Sequence, residues 1–200
     1  MTLSYSEYQA IATKIQPNGQ AFIDGKFCDA VDGQKFETIN PATGQVLASV
    51  AHCKSADVDR AVKAARRVFN AGTWSRAEPE ERKEVLLKVA SLVRAHTPEL
   101  AGLESLDTGK TINDCMDEIG GEVVSFFQWY AELGDKSFGK IAPTGPSALA
   151  LIVKEPAGVA GAVLPWNFPL VMAAWKLSLI HISEPTRPER ISYAVVCLKK

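Results

Sequence analysis

The stretch KEPAGVAGAVLPWNFPLVMAAWKL, from Lys154 to Leu177, constrains this chain more than any other. Its run from Val159 to Leu164 is continuously apolar, as expected of a strand buried on both faces of a parallel sheet. Pro165 and Pro169 follow, each fixing φ near about −65° on either side of a short polar break. LVMAAWKL then reads as the opening of a helix. Strand, tight loop and helix form the unit from which α/β sheets are built, and such sheets place ligands at the carboxyl ends of their strands. A second β-rich run, 148–154, precedes it across the turn Glu155-Pro156-Ala157-Gly158.

The earlier chain changes period twice. FIDGKFCDA alternates around Asp24-Gly25, the strongest short hairpin signal in the sequence. FETINPATGQVLASVA repeats the device, with a turn over Asn40-Pro41-Ala42-Thr43-Gly44. Helical spacing then takes over. Ser55 is placed to cap a helix carrying Val58, Ala61, Val62, Ala65, Val68 and Phe69. Pro79 suits the first turn of a second helix, and Thr97-Pro98 opens a third that DTGK ends. A fourth, over 112–133, lines up Ile112, Cys115, Met116, Ile119, Val123, Phe126, Phe127, Tyr130 and Leu133, with Gly134 as its stop. Residues 1–20 carry no clear pattern.

Composition excludes several classes. With 46% hydrophobic residues among 200, a sizeable core is available and disorder is not expected. Twenty-two basic against 23 acidic residues leave a net charge of −1, which gives no electrostatic basis for nucleic-acid or anionic-membrane partners. The first residues lack a signal-peptide layout and no apolar run reaches membrane-spanning length. Four cysteines without a CxxC or a histidine at metal spacing fit a reducing, cytoplasmic setting and no metal site.

Several motifs have plain structural readings. Gly109-Lys110-Thr111 resembles the end of a phosphate-binding loop, but Glu104 stands where that loop needs glycine, and the preceding segment is helical. Gly158 and Gly161 are two glycines, not the three of a dinucleotide fingerprint, and tight packing explains them. Cys115 falls on an apolar helical stripe, and Cys28 and Cys53 lie by strands without a nearby base, so all three read as structural. His52 and His96 show no partner in the sequence. Asn167 is different: an amide held between two prolines can donate N–H to negative charge developing on an oxygen. It can equally bond its own backbone in a turn.

INPATGQVLASV, LESLDTGK, WYAELGDK, KEPAGVAGAVLPWNFP and AWKL occur in the order and spacing of the NAD(P)-dependent aldehyde dehydrogenase superfamily, which this chain resembles from about Phe22 to Lys176. The FIDGKF and FETINPATGQ details look similar to the γ-glutamyl-γ-aminobutyraldehyde and betaine aldehyde dehydrogenase branches. The resemblance implies an α/β fold of the aldehyde dehydrogenase type, here incomplete. It comprises the N-terminal helical part of a Rossmann-like cofactor domain, plus β-strands of an oligomerisation arm near 22–34 and 141–155. It also implies a homo-oligomeric parent, dimer or tetramer, that oxidises a small-molecule aldehyde to a carboxylate with NAD or NADP. A cysteine thiohemiacetal and thioester would carry that reaction. Asn167 matches the family's oxyanion donor, and Leu164, Pro165, Trp166 and Asn167 match the segment lining the cofactor cleft. Lys176 matches a lysine tied either to proton movement or to structural pairing. No residue here matches the family's nucleophilic cysteine or catalytic glutamate, so these 200 residues alone are expected to be inactive and poorly soluble. A different class of function, a non-catalytic module pairing with full-length subunits, is the alternative.

The pattern changes again at about Ser178. LSLIHISEPTR, from Leu177 to Arg187, resembles the in-frame translation of a sequencing-library adapter. An index would fill Pro188-Glu189-Arg190, and the adapter's continuation matches ISYAVVCL, 191–198, except at Val196. The chain therefore divides into an N-terminal segment, 1–21, a partial enzyme domain, 22–176, and a non-native tail, 177–200.

Overall fold

The computed structural model describes residues 3–182. The chain opens with helix α1, Tyr5–Ala12, which the sequence pattern does not single out. Its cap is nonetheless local chemistry: the Ser4 N–H donates to Glu7 at 2.7 Å, and the Glu7 N–H donates back to the Ser4 hydroxyl at 3.4 Å. Two hairpins follow as expected. Strands β1, Ala21–Ile23, and β2, Lys26–Cys28, close over Asp24 and Gly25, whose φ values of 56° and 74° suit this tight turn. Strands β3, Lys35–Ile39, and β4, Val46–Ala51, pair antiparallel with an irregularity at Thr38/Ile39.

Helix α2, Ser55–Ala71, begins at Ser55 rather than being capped by it. Lys54 is the cap residue, and the buried Asp57 carboxylate accepts its N–H at 3.0 Å and that of Val31 at 2.9 Å. A carboxylate in the first turn reaches back to an orphan donor and is favoured by the helix dipole, so it displaces the serine. Arg67 pairs with Asp24 and holds the first hairpin to this helix.

The core is helical. Helix α3, Pro79–Ala95, starts at its proline, and α4, Thr97–Thr108, ends at Gly109 with φ 79°. Helix α5, Ile112–Asp117, a π-helical segment, Glu118–Val123, and α6, Val124–Gly134, form the expected fourth helix as one rod with a widened middle. Leu86, Ala90, Ala101, Cys115, Ile119, Val123, Val124, Phe127 and Ala131 bury together. Leu133, expected on this stripe, stays 38% exposed at the end of the rod. Lys83 at 3.2 Å from both Glu132 and Asp135 ties α3 to the end of the rod. Gly120 faces Thr97 so closely that a Cβ there would meet Thr97 Cγ2 at 3.1 Å.

Strands β5, Lys140–Ala142, and β6, Ala150–Ile152, form a third hairpin. The ladder of β6 is shorter than the 148–154 run. Residues 159–164, expected as a strand, form no ladder with any other described segment, and a strand needs such a neighbour to share hydrogen bonds. All the described sheets are two-stranded. Helix α7, Pro169–Ile182, closes the core with Val171 and Ala174. It continues past Lys176, with Ser178 buried and its hydroxyl donating to the Ala174 carbonyl. Residues 183–200, which hold most of the adapter-like stretch and Cys197, lie outside the described residues.

Gly109 offers a direct check on this packing. Its positive φ disfavours any Cβ, and a Cβ would sit 2.9 Å from Pro41 Cγ. Gly109→Ala is expected to destabilise the fold by about 1–2 kcal/mol or more from the backbone alone, measured by denaturant unfolding.

Candidate active site

Three segments distant in sequence meet at one corner of the helical core. The Thr38 hydroxyl of β3 donates to Asp107 of α4 at 2.7 Å. Pro41, in the turn after β3, lies against Gly109. Lys110, next along the chain, places its Nζ 3.8 Å from the centroid of the Phe168 ring. INPATG, DTGK and PWNFP are thus spatial neighbours.

Helix α7 fixes the last of these. Its first backbone bond runs from the Met172 N–H to the Phe168 carbonyl at 3.0 Å. With Val171 and Ala174 buried against the rod, the turn at Trp166-Asn167 is anchored at its C-terminal side. Lys176 anchors the other side, its Nζ donating to the Val163 carbonyl at 2.6 Å. This contact joins α7 to the 159–164 run. Leu164 is half-buried, while Pro165, Trp166 and Asn167 are exposed. The hydrogen bonds among the described residues include none from the Asn167 side chain to its own turn, so its amide points to no internal acceptor there. Val163 at 74% and Trp166 at 66% exposure leave an open apolar surface beside that amide.

Behind the turn lies a charged cluster that pattern reasoning misses. Lys110 pairs closely with Glu118, on the π-helical segment, and stands 3.7 Å from Glu104 on α4. The Glu104 side chain is only 5% exposed, and its Oε1 has no hydrogen-bond partner among the described residues. Burial pushes the Glu104 carboxyl up from its usual range, against the opposing pull of Lys110 and a smaller pull from the Leu170 N–H. A signal was present in the sequence. Thr97, Ala101 and Glu104 fall on one helical stripe, so an acid sits where core residues belong.

Cys115 is buried on its apolar stripe, as expected from sequence. Burial pushes the Cys115 thiol up to about 11, and burial also raises Cys53, so neither is a thiolate near neutral pH. The histidines have partners after all. His52 stands edge-on to Phe36 with centroids 5.9 Å apart, and His96 Nδ1 lies 3.8 Å from Glu99. Such contacts across a hairpin or one helical turn need the folded geometry to be seen. Among the described residues no helix is long and apolar enough to cross a membrane, and no group of ligating side chains is placed to hold a metal ion.

In architecture the chain is part of an aldehyde dehydrogenase-like α/β fold. It superposes on the γ-glutamyl-γ-aminobutyraldehyde dehydrogenase of Burkholderia cenocepacia with TM-score 0.87 and 44% identity, covering 90% of this chain and 37% of that one. A P. syringae indole-3-acetaldehyde dehydrogenase mutant, solved in complex with NAD+ and IAA, gives TM-score 0.87 at 39% identity, with the same coverage. A model of the aldehyde dehydrogenase family matches residues 27–181, and the chain belongs to that family. An aminoacetaldehyde dehydrogenase of Pseudomonas aeruginosa is 50% identical over 175 residues, 88% of this chain. The chain spans 35% of that relative's length.

The buried acid makes a pH prediction. Its folded-state pKa lies above the ordinary 4.5, so on raising the pH the unfolded chain ionises first. Stability from this group is full below about 4.5 and is lost as pH rises through the raised value. Glu104→Gln is expected to remove that loss. The variant's unfolding free energy, minus that of the parent, should therefore increase as pH rises from 4.5 towards neutrality. Glu118, Lys110 and the Cys115 thiol, which face Glu104, remain in both chains, as do Asp32 and Asp135 with their opposite shifts. Chemical denaturation across pH reads the difference.

Proposed function

We propose that this chain carries the oxyanion-stabilising and nicotinamide-facing portion of an enzyme that oxidises an aldehyde to a carboxylate with NAD or NADP. The observation that carries this reading is the exposed Asn167 amide, held between the Lys176-anchored segment and the N-terminus of α7. As a nucleophile adds to an aldehyde, the carbonyl oxygen gains negative charge. The Asn167 side-chain N–H, on a backbone held at both sides of its turn, is placed to donate to it. Lys176 serves as the brace that keeps the 159–164 run beside α7.

The residues present fit a nicotinamide dinucleotide in chemical character: an open apolar face at Val163, Leu164, Pro165 and Trp166 with one amide beside it. When bound, that cofactor accepts the hydride lost by the substrate. No residue here matches the family's nucleophilic cysteine, and Cys115 is buried in the core, so the nucleophile is read as coming from polypeptide outside these residues. These 200 residues alone therefore do not turn over aldehyde. The parent is a cytoplasmic homo-oligomer, and the segments near 22–34 and 141–155, the latter with the β5–β6 hairpin, belong to the arm that assembles it. Ile141, Leu151 and Val153 on that hairpin are 71%, 61% and 66% exposed, an apolar face suited to cover by another subunit. Residues from 177 onward are read as translated adapter and given no role. A continuous genomic reading frame across the Lys176 codon that encodes this tail would overturn that assignment.

Residues 22–176, exchanged for the matching segment of the Pseudomonas aeruginosa aminoacetaldehyde dehydrogenase, test the reading. In that chimera Asn167→Ala is expected to lower kcat roughly 10²–10³-fold, with a smaller change in KM. A kcat within about threefold of the parent chimera would remove Asn167 from the reaction.

A further inference from the structure

We infer that Lys110, held by Glu104 and Glu118, is a positioning residue for the Asn167 turn and acts through the ring of Phe168. This rests on the oxyanion reading of Asn167 and adds to it the group that aims the amide.

Phe168 follows Asn167 directly and supplies the carbonyl that starts α7. Whatever fixes its ring therefore fixes the backbone next to the amide. The ring is 41% exposed, so packing alone leaves it free on one side. Lys110 approaches to 3.8 Å from the centroid, well inside the range at which an ammonium is attracted to an aromatic face. The ammonium cannot wander. Its Nζ is paired with Glu118 and lies 3.7 Å from the buried Glu104, and its side chain is only 20% exposed. Its own backbone is tied too, because the Ser105 hydroxyl donates to the Lys110 carbonyl at 2.7 Å. Gly109, pressed against Pro41, sets where the lysine leaves the main chain.

An apolar side chain at 110 could fill the space but would not hold the ring by charge. An arginine keeps a cation over the ring, and guanidinium is the commoner partner in such contacts. Lys110 sits at the edge of the core, so its substitution tests the contact without emptying the interior.

The test uses the 200-residue chain, labelled with ¹⁵N, comparing Lys110→Met, Lys110→Arg and Phe168→Leu. Lys110→Met should move the side-chain NH₂ signals of Asn167 and speed amide hydrogen exchange over 170–172 by roughly 3- to 30-fold. Exchange at Ile119 and Val123 should stay as in the parent. Phe168→Leu should reproduce the Lys110→Met effect, and Lys110→Arg should return both readouts to within about twofold of the parent. In the chimera, Lys110→Met should lower kcat more than it changes KM, with no further loss when Asn167→Ala is already present.

Unchanged exchange at 170–172 in both Lys110→Met and Phe168→Leu would overturn the proposal. So would an equal rise at Ile119 and Val123, which would make Lys110 a support of the whole core. Failure of Lys110→Arg to restore the signals would also count against it. The exchange measurements do not depend on turnover. If Asn167→Ala leaves kcat intact while these amides respond, the oxyanion reading fails and the mechanical coupling stands.

Discussion

One ammonium group joins the parts of this structure that bear on chemistry. Lys110 stands between two carboxylates on separate helices and the face of an aromatic ring on a third element. Around it the chain is clamped by short-range contacts: Thr38 to Asp107 on one side, Pro41 against Gly109 on the other. Each contact alone is modest. Together they bring a hairpin turn, a helix C-terminus and a proline-bounded turn to a single corner. Without the lysine, the third of these would be held only by the helix that follows it.

That helix is held well. The buried face of α7 uses small residues, Ala173 and Ala174, which let it approach the rod closely. Larger groups then lock its rotation. Trp175 stacks on Phe126 with centroids 5.4 Å apart and rings 9° from parallel, and Lys176 donates to the Val163 carbonyl at 2.6 Å. Rotation of α7 about its axis would break several of these contacts together. The position of its first turn, and with it the backbone at Asn167, is therefore an outcome of core packing as much as of local turn chemistry.

Local rules made the elements legible. Asp24-Gly25, Pro79, Thr97-Pro98 and Gly109 each mark a boundary because their backbone chemistry acts over a few residues. The same range explains the misses that were avoidable: Ser4 and Glu7 form a capping box that pattern alone could have found. The 159–164 run shows the opposite limit. Its apolar character is readable, but a strand needs a neighbour, and the described residues supply none. At the candidate site, Asn167 was legible because two prolines flank it. Glu104, Glu118 and Phe168 were not, because what matters is their distance from one lysine, and that distance is set by how α4, the π-helical segment and α7 pack.

The raised pKa of Glu104 beside a lysine looks contradictory until the contacts are ranked. An ammonium close to a carboxylate normally favours its charged form. Here Lys110 is closest to Glu118 and also faces the Phe168 ring, which leaves Glu104 at 3.7 Å with an oxygen that accepts no hydrogen bond from a described residue. Desolvation then outweighs the attraction. Apolar groups of similar shape at such sites are often neutral or more stabilising, so the cluster is poorly explained as a device for stability. It is better explained by direction. Two carboxyl groups on two helical elements define where the ammonium sits, and the ammonium defines where the ring beside Asn167 sits. A core of leucines would hold these helices together, but it would leave that ring free to turn.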